Sequence, residues 1–292
     1  MLEAPQLNSG FLLGTILSLV FVVAYPLVLA VIAHRNLHVG WRYFAYGAIV
    51  FFVFQLATRV PAVQLIQAAF ADQLKASATL TWAWLVVLAL TAGLFEEVGR
   101  YFGYRVLMRR EDKTWSKAVM YGLGHGGFES IVLVGGMMLL GIINLWSFAS
   151  GGFAQLPEDQ KVLAAQQVQA LNGQPGWVAL LGAWERLWTI PVQVAFSVIV
   201  LQVFRTGKLI WLLWAVLGHA LVDLVAVGLQ QMLGAGTVSS LVIEGVIAVF
   251  GLLAIWIIWR LRDASPQPAT AEASSPQSQF PLQLHYPRST AQ

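Results

Sequence analysis

Seven stretches of this chain are long and apolar enough to cross a bilayer, and this limits the fold more than any other feature. They run Phe11–Ala33, Tyr43–Phe70, Leu80–Leu107, Trp115–Trp146, Gly176–Phe204, Leu209–Leu233 and Val238–Trp259. A helical span takes about 20 predominantly apolar residues at a rise of about 1.5 Å each. In hydrocarbon every backbone N–H and C=O must be satisfied within the structure, so runs of this length are read as helices. The expectation is an all-α, polytopic membrane protein with seven transmembrane helices. Composition agrees: 58% of the residues are hydrophobic and 11% charged, against about 25% charged in soluble domains. Twelve Trp and seven Tyr suit a chain with many membrane–water boundaries. The absence of cysteine excludes disulfide and thiolate chemistry. No basic residue precedes the first span, which is therefore read as a retained helix rather than a signal peptide. The second span is the least sharp. Arg59 and Pro61 interrupt it, and it is expected to end there with an amphipathic continuation along the surface.

Basic residues predict the orientation. Arg35 and Arg42 follow the first span; Arg105, Arg109, Arg110, Lys113 and Lys117 follow the third; Arg205 and Lys208 follow the fifth; Arg260 and Arg262 follow the last. The second and fourth loops each hold one lysine, Lys75 and Lys161, beside acids, and the sixth holds no charge. The positive-inside rule then puts the N-terminus outside and the C-terminus in the cytoplasm. Ser147–Pro175, the longest connection, is Gln- and Ala-rich and is expected to form a short surface helix. After residue 262 the composition turns to Ser, Pro, Gln, Thr and Ala, which cannot bury enough apolar surface to fold. The organisation expected is an integral membrane domain over 1–262 and a disordered cytoplasmic tail over 263–292.

Four ionisable clusters interrupt the apolar segments: Glu96-Glu97-Val98-Gly99-Arg100, His125-Gly126-Gly127-Phe128-Glu129, Glu185-Arg186 and His219 with Asp223. Each charge at a helix centre costs about 3 kcal/mol on insertion scales, so intramembrane ionisable residues point to function. With the predicted orientation, Glu96 lies eleven residues from the cytoplasmic end of its span, and His125 and His219 each lie ten residues in. At about 1.5 Å per residue all three share one depth, roughly 15 Å from the cytoplasmic end. That depth favours substrate entry from the cytoplasmic half. Residues three or four apart share a helix face, so Glu96 and Glu97 approach Arg100, His125 aligns with Glu129, and His219 with Asp223. Each histidine is then expected to be oriented by the carboxylate on its own helix. Gly93, Gly99, Gly103, Gly122, Gly124, Gly126 and Gly127 let the helix backbones come close. Self-neutralising structural pairs are the rival explanation. A second carboxylate beside Glu96, and the shared depth, favour a site. For Glu185-Arg186 the structural reading prevails, an interhelical pair or an anchor. Gln193 is placed to face the site, and Glu244 reads as interfacial.

This ordered set of motifs resembles the YhfC-type intramembrane protease family, which looks related to the CAAX-prenyl-protease and bacteriocin-processing clan. The clan's first motif is Glu-Glu-x-x-x-Arg; here Arg100 comes one residue early. Tyr121 stands for the aromatic residue of the second motif, and His219 with Asp223 satisfies the last. The resemblance implies a glutamic-type or metal-dependent endopeptidase in the bacterial plasma membrane. Glu96 would match the water-activating glutamate, beside Glu97. Arg100, His125, Glu129, His219 and Asp223 would complete the site, and the substrate would be a membrane-associated or modified peptide or protein.

Read from the residues, Glu96 can take a proton from water, while His125 and His219 hold the water or the oxyanion. His125, His219 and Asp223 are also candidate zinc ligands, although no His-Glu-x-x-His is present. No Gly-x-Ser-x-Gly elbow lies in a span, and Asp223 is the only aspartate within one, which speaks against serine and aspartyl mechanisms. Two other functions fit intramembrane charge: a proton-coupled transporter, in which the Gly122–Gly127 run would break the fourth span, and a non-catalytic scaffold. Nothing points to a nucleic-acid partner.

Overall fold

The computed structural model describes residues 8–262, which are helical without a strand. The expected tail lies outside the described residues. Among the described residues, seven helices are long and apolar enough to cross a membrane, within a few residues of the expected bounds. In chain order, α1 is Ser9–Leu37. The second span is α2 (Arg42–Phe51), a π-helical stretch Phe52–Arg59 and α3 (Val60–Ala69). A short α4 (Ala71–Ala76) leads to α5 (Ala78–Val106). The fourth span is α6 (Trp115–Phe128), a π-helical stretch Glu129–Gly135 and α7 (Gly136–Ala149). The expected surface helix is α8 (Glu158–Asn172). The last three spans are α9 (Leu181–Thr206), α10 (Ile210–Leu233) and α11 (Thr237–Arg260).

Local chemistry marks the helix starts. Asn8 Oδ1 accepts from the backbone N–H groups of Gly10 and Phe11, and Ser77 Oγ accepts from Leu80 N–H. Both satisfy donors that have no partner inside the helix.

Two expectations about breaks are corrected. The helix of the second span does not break at Arg59 but continues to Ala69. Pro61 falls in the first turn of α3, and, lacking an N–H, it donates no bond to the helical turn before it. The π-helical stretch before it takes up the change of register, with Val60 N–H bonded to Gln55 C=O. Nor does the glycine run break the fourth span. Gly122–Gly127 is regular helix, and the irregular stretch begins just after it, at Glu129.

α9 is the central helix, with 67% of its apolar window buried, and α1, α5, α6, α10 and α11 all pack on it. Small residues set the spacing. A methyl at Gly122 would lie 2.6 Å from Val194 Cα, and one at Gly93 would lie 3.1 Å from Ala220 N, so α6 meets α9 and α5 meets α10 nearly backbone to backbone. Large side chains on the opposite faces, such as Leu94, Leu217 and Leu221, are exposed, as lipid contact requires.

Candidate active site

The close approach of α5, α6, α9 and α10 gathers Glu96, Glu97, Arg100, His125, Gln193 and His219 in the interior, all buried. His125 Nε2 lies 2.9 Å from Glu96 Oε2. Arg100 Nη1 donates to Glu97 Oε1, and its Nη2 is 3.7 Å from Glu96 Oε2. His219 Nδ1 lies 2.7 Å from Glu97 Oε1. Since a carboxylate accepts, this bond assigns the proton to Nδ1. His219 Nε2 then faces Glu96 Oε2 at 3.9 Å and Asp223 Oδ2 at 3.8 Å. Both gaps exceed a hydrogen bond and suit a bridging water. Phe196 stacks on the His219 ring, with centroids 4.9 Å apart, and Phe51 meets the His125 ring edge-on at 5.0 Å. These contacts fix the planes of both imidazoles.

Gln193 links this centre to a second cluster. Its Oε1 accepts from Arg100 Nη2, which leaves Nε2 to donate to Glu129 Oε2 at 2.7 Å and towards Glu96 Oε2 at 3.4 Å. Glu129 Oε1 accepts from Arg186 Nη1 at 2.9 Å, and Arg186 Nη2 donates to Glu185. A cavity of about 110 Å³ borders both clusters, with His219, Asp223, Glu129, Gln193 and Arg186 among its walls.

The structure therefore brings all seven expected residues into one neighbourhood, but with different partners. His125 is held by Glu96, not by Glu129. Glu129 N–H still bonds back to His125 C=O, but its side chain turns to Arg186 and Gln193 instead. His219 is held by Glu97 on α5, while Asp223, whose side chain is 36% exposed, stays beyond hydrogen-bond reach of it. Glu185 and Arg186 pair with each other within α9; the interhelical bond runs from Arg186 to Glu129, and through it the pair also touches the site. Arg59, read as an interruption of its span, bonds to α5: Nη2 to Leu88 C=O at 2.5 Å and Nε to Thr91 Oγ1 at 3.2 Å. An arginine in the middle of an apolar run was the signal for it.

The donor types are those zinc accepts; their arrangement is not. Among the described residues no three His, Asp or Glu side chains are grouped to hold an ion. His125 Nε2, the atom that would ligate, is bonded directly to Glu96, and its Nδ1 is buried without a partner. A metal-bound imidazole ordinarily has its second nitrogen anchored, as His219 has and His125 has not.

Outside the spans, Glu111 accepts from Tyr43 Oη and lies 3.1 Å from Arg42 Nη2 and 3.5 Å from Lys117 Nζ. Partial burial pushes its carboxyl up, but the Tyr43 hydrogen bond and the two cations outweigh this and hold it below the usual glutamate value.

The family described as YhfC intramembrane metalloprotease matches residues 19–248. A relative in Bacillus subtilis (strain 168), described as an uncharacterized membrane protein YhfC, is 31% identical over 240 residues, covering 80% of this chain and 90% of its own. No solved structure matches. This chain is an integral membrane protein, as the relative is, and a bacterial relative points to the plasma membrane.

Proposed function

The chain belongs to the YhfC intramembrane metalloprotease family, and from that membership we propose that it is a membrane-embedded peptidase in which Glu96 activates a water molecule. The reading rests above all on one observation. His219 Nε2 lies 3.9 Å from Glu96 Oε2 and 3.8 Å from Asp223 Oδ2, too far for direct hydrogen bonds and so open to water, and His219 and Asp223 line a cavity of about 110 Å³. Glu97, paired with Arg100 and His219 Nδ1, holds the imidazole in place and leaves Glu96 to act as base. Glu96 removes a proton from the water as its oxygen attacks the peptide carbonyl carbon. The oxyanion forms beside His219 Nε2, which can donate to it only as the imidazolium, with both ring nitrogens protonated. The proton then passes from Glu96 to the leaving amine, and the C–N bond breaks. In sum one water is added across one amide.

A metal ion, when bound in such enzymes, supplies a Lewis acid and lowers the pKa of its water. The ligand geometry here does not fit one, so no step is assigned to it. The substrate is a peptide or protein segment at the membrane. Comparative proteomics of cells carrying the wild-type or the Glu96→Gln protein tests the reading: new cleavage ends are expected with the former and none with the latter. Identical ends from both, with the variant folded, would refute it. Exhaustive chelation with metal analysis tests the ligand argument separately. Activity is expected to survive, and stoichiometric zinc lost together with activity would overturn that expectation.

A further inference from the structure

We propose, resting on the peptidase reading, that substrate reaches the site through a groove between α9, α10 and α11, and that Glu185 and Glu244 make this groove select a segment carrying a lysine or arginine. The cavity beside His219 and Asp223 has about 110 Å³. At about 30 Å³ per water that is room for a few waters but not for a polypeptide. At Glu185, Ala226 and Ile247 it meets a second cavity of about 570 Å³, which is within the range of ligand pockets. Gln230, Gln231 and Ser240 line this outer part, a surface for a hydrated chain rather than for lipid.

The charge of the route is one-sided. Arg186 stands on its wall, but Glu129 and Glu185 already engage that guanidinium. Glu244 adds a second carboxylate, whose Oε2 is buried and has no protein partner. A cationic side chain would satisfy it. Two further cavities, of about 540 and 350 Å³, are walled mainly by apolar side chains and touch none of Glu96, His125, His219 or Asp223.

Ala226, Gln230 and Gln231 carry the groove along successive turns of α10 towards its end at Leu233. From His219 that is fourteen residues, about 21 Å. By the charge-based orientation this end faces away from the cytoplasm, opposite to the entry expected from depth alone.

The chain has no cysteine, so single thiols can probe the route. Ala226→Cys and, as a second position, Ile247→Cys are made in the full chain in lipid nanodiscs. Each is treated with a methanethiosulfonate carrying a trimethylammonium group and with its sulfonate counterpart. Relative to the ratio for a free thiol in solution, where the anionic thiolate already favours the cationic reagent, the cationic reagent is expected to gain about tenfold, because a charged cleft concentrates counter-ions by roughly 10-fold or more. Adding Glu185→Gln and Glu244→Gln is expected to lower that ratio at least about threefold. Two unreactive thiols, a ratio near that of the free thiol, or a ratio unmoved by the neutralising changes would overturn the proposal. These rates need no peptide cleavage, so the route and the peptidase reading fail separately: the route by these rates, the chemistry by Glu96→Gln.

Discussion

Two acid–base clusters of this protein are built from the same kinds of side chain and end up unlike. At the loop before α6, Glu111 meets Arg42, Lys117 and Tyr43. Inside the bundle, Glu96 and Glu97 meet Arg100, His125 and His219. The loop cluster is wet: the Arg42 side chain is 60% exposed, and solvent serves whatever the partners leave. The inner cluster cannot draw on solvent in that way, yet it leaves Glu97 Oε2, Arg100 Nε and His125 Nδ1 without protein partners. A purely structural pair buried in a membrane would be expected to close on itself, because each unmet polar group there costs free energy. On the peptidase proposal, this unspent hydrogen-bonding capacity is what would separate a working cluster from a brace.

The comparison breaks most sharply at Arg100. Removing one partner of a buried ion pair typically costs about 3–5 kcal/mol, since the other charge is left uncompensated. Arg100→Met is therefore expected to lower the thermal unfolding midpoint strongly in detergent, followed by tryptophan fluorescence. Adding Glu97→Gln should recover much of that stability without recovering peptide cleavage. Recovery of both together would make the inner cluster a brace after all.

Gln193 gives a middle-sized effect. It holds Arg100 with one end and Glu129 with the other, so Gln193→Leu strips hydrogen bonds from two charged groups at about 1–3 kcal/mol each. If Gln193 positions Glu96, turnover should fall while the KM for a cleaved reporter peptide changes little. A loss confined to stability would make it a packing residue.

The difference between the clusters also explains what could be read before the structure. Apolar runs of about 20 residues admit few alternatives in a bilayer, so the seven helices were legible to within a few residues. The meeting of Glu96, His125 and His219 was legible as well, because helical rise converts sequence offset into depth. Partners were not. Offset along one helix favoured Glu129 for His125 and Asp223 for His219, whereas the bonds run between helices, to Glu96 and Glu97. Helix rotation decides this, and it depends on side-chain reach and on where glycine lets two backbones touch. Neither leaves a periodic signature. Gln193 was visible as a polar residue on the central helix, but its double role needs both neighbours in place.

The smallest effect belongs to the loop cluster, and its sign is fixed. Glu111 is held below the usual glutamate value in the folded protein, which is about 4.3 when unperturbed. A carboxylate with a depressed folded pKa contributes stability that is fully present above its unfolded pKa and lost as pH falls through the folded one. The contribution is therefore complete at neutral pH and declines only below about pH 4. Unfolding midpoints of wild type and Glu111→Gln should differ slightly at pH 7 and converge on acidification. Because Arg42 is largely exposed, salt should shrink the neutral-pH difference. Arg100 is fully buried, so the same salt titration should leave the Arg100→Met deficit nearly unchanged. Equal salt sensitivity at both places would erase the distinction between a solvated cluster and a buried one.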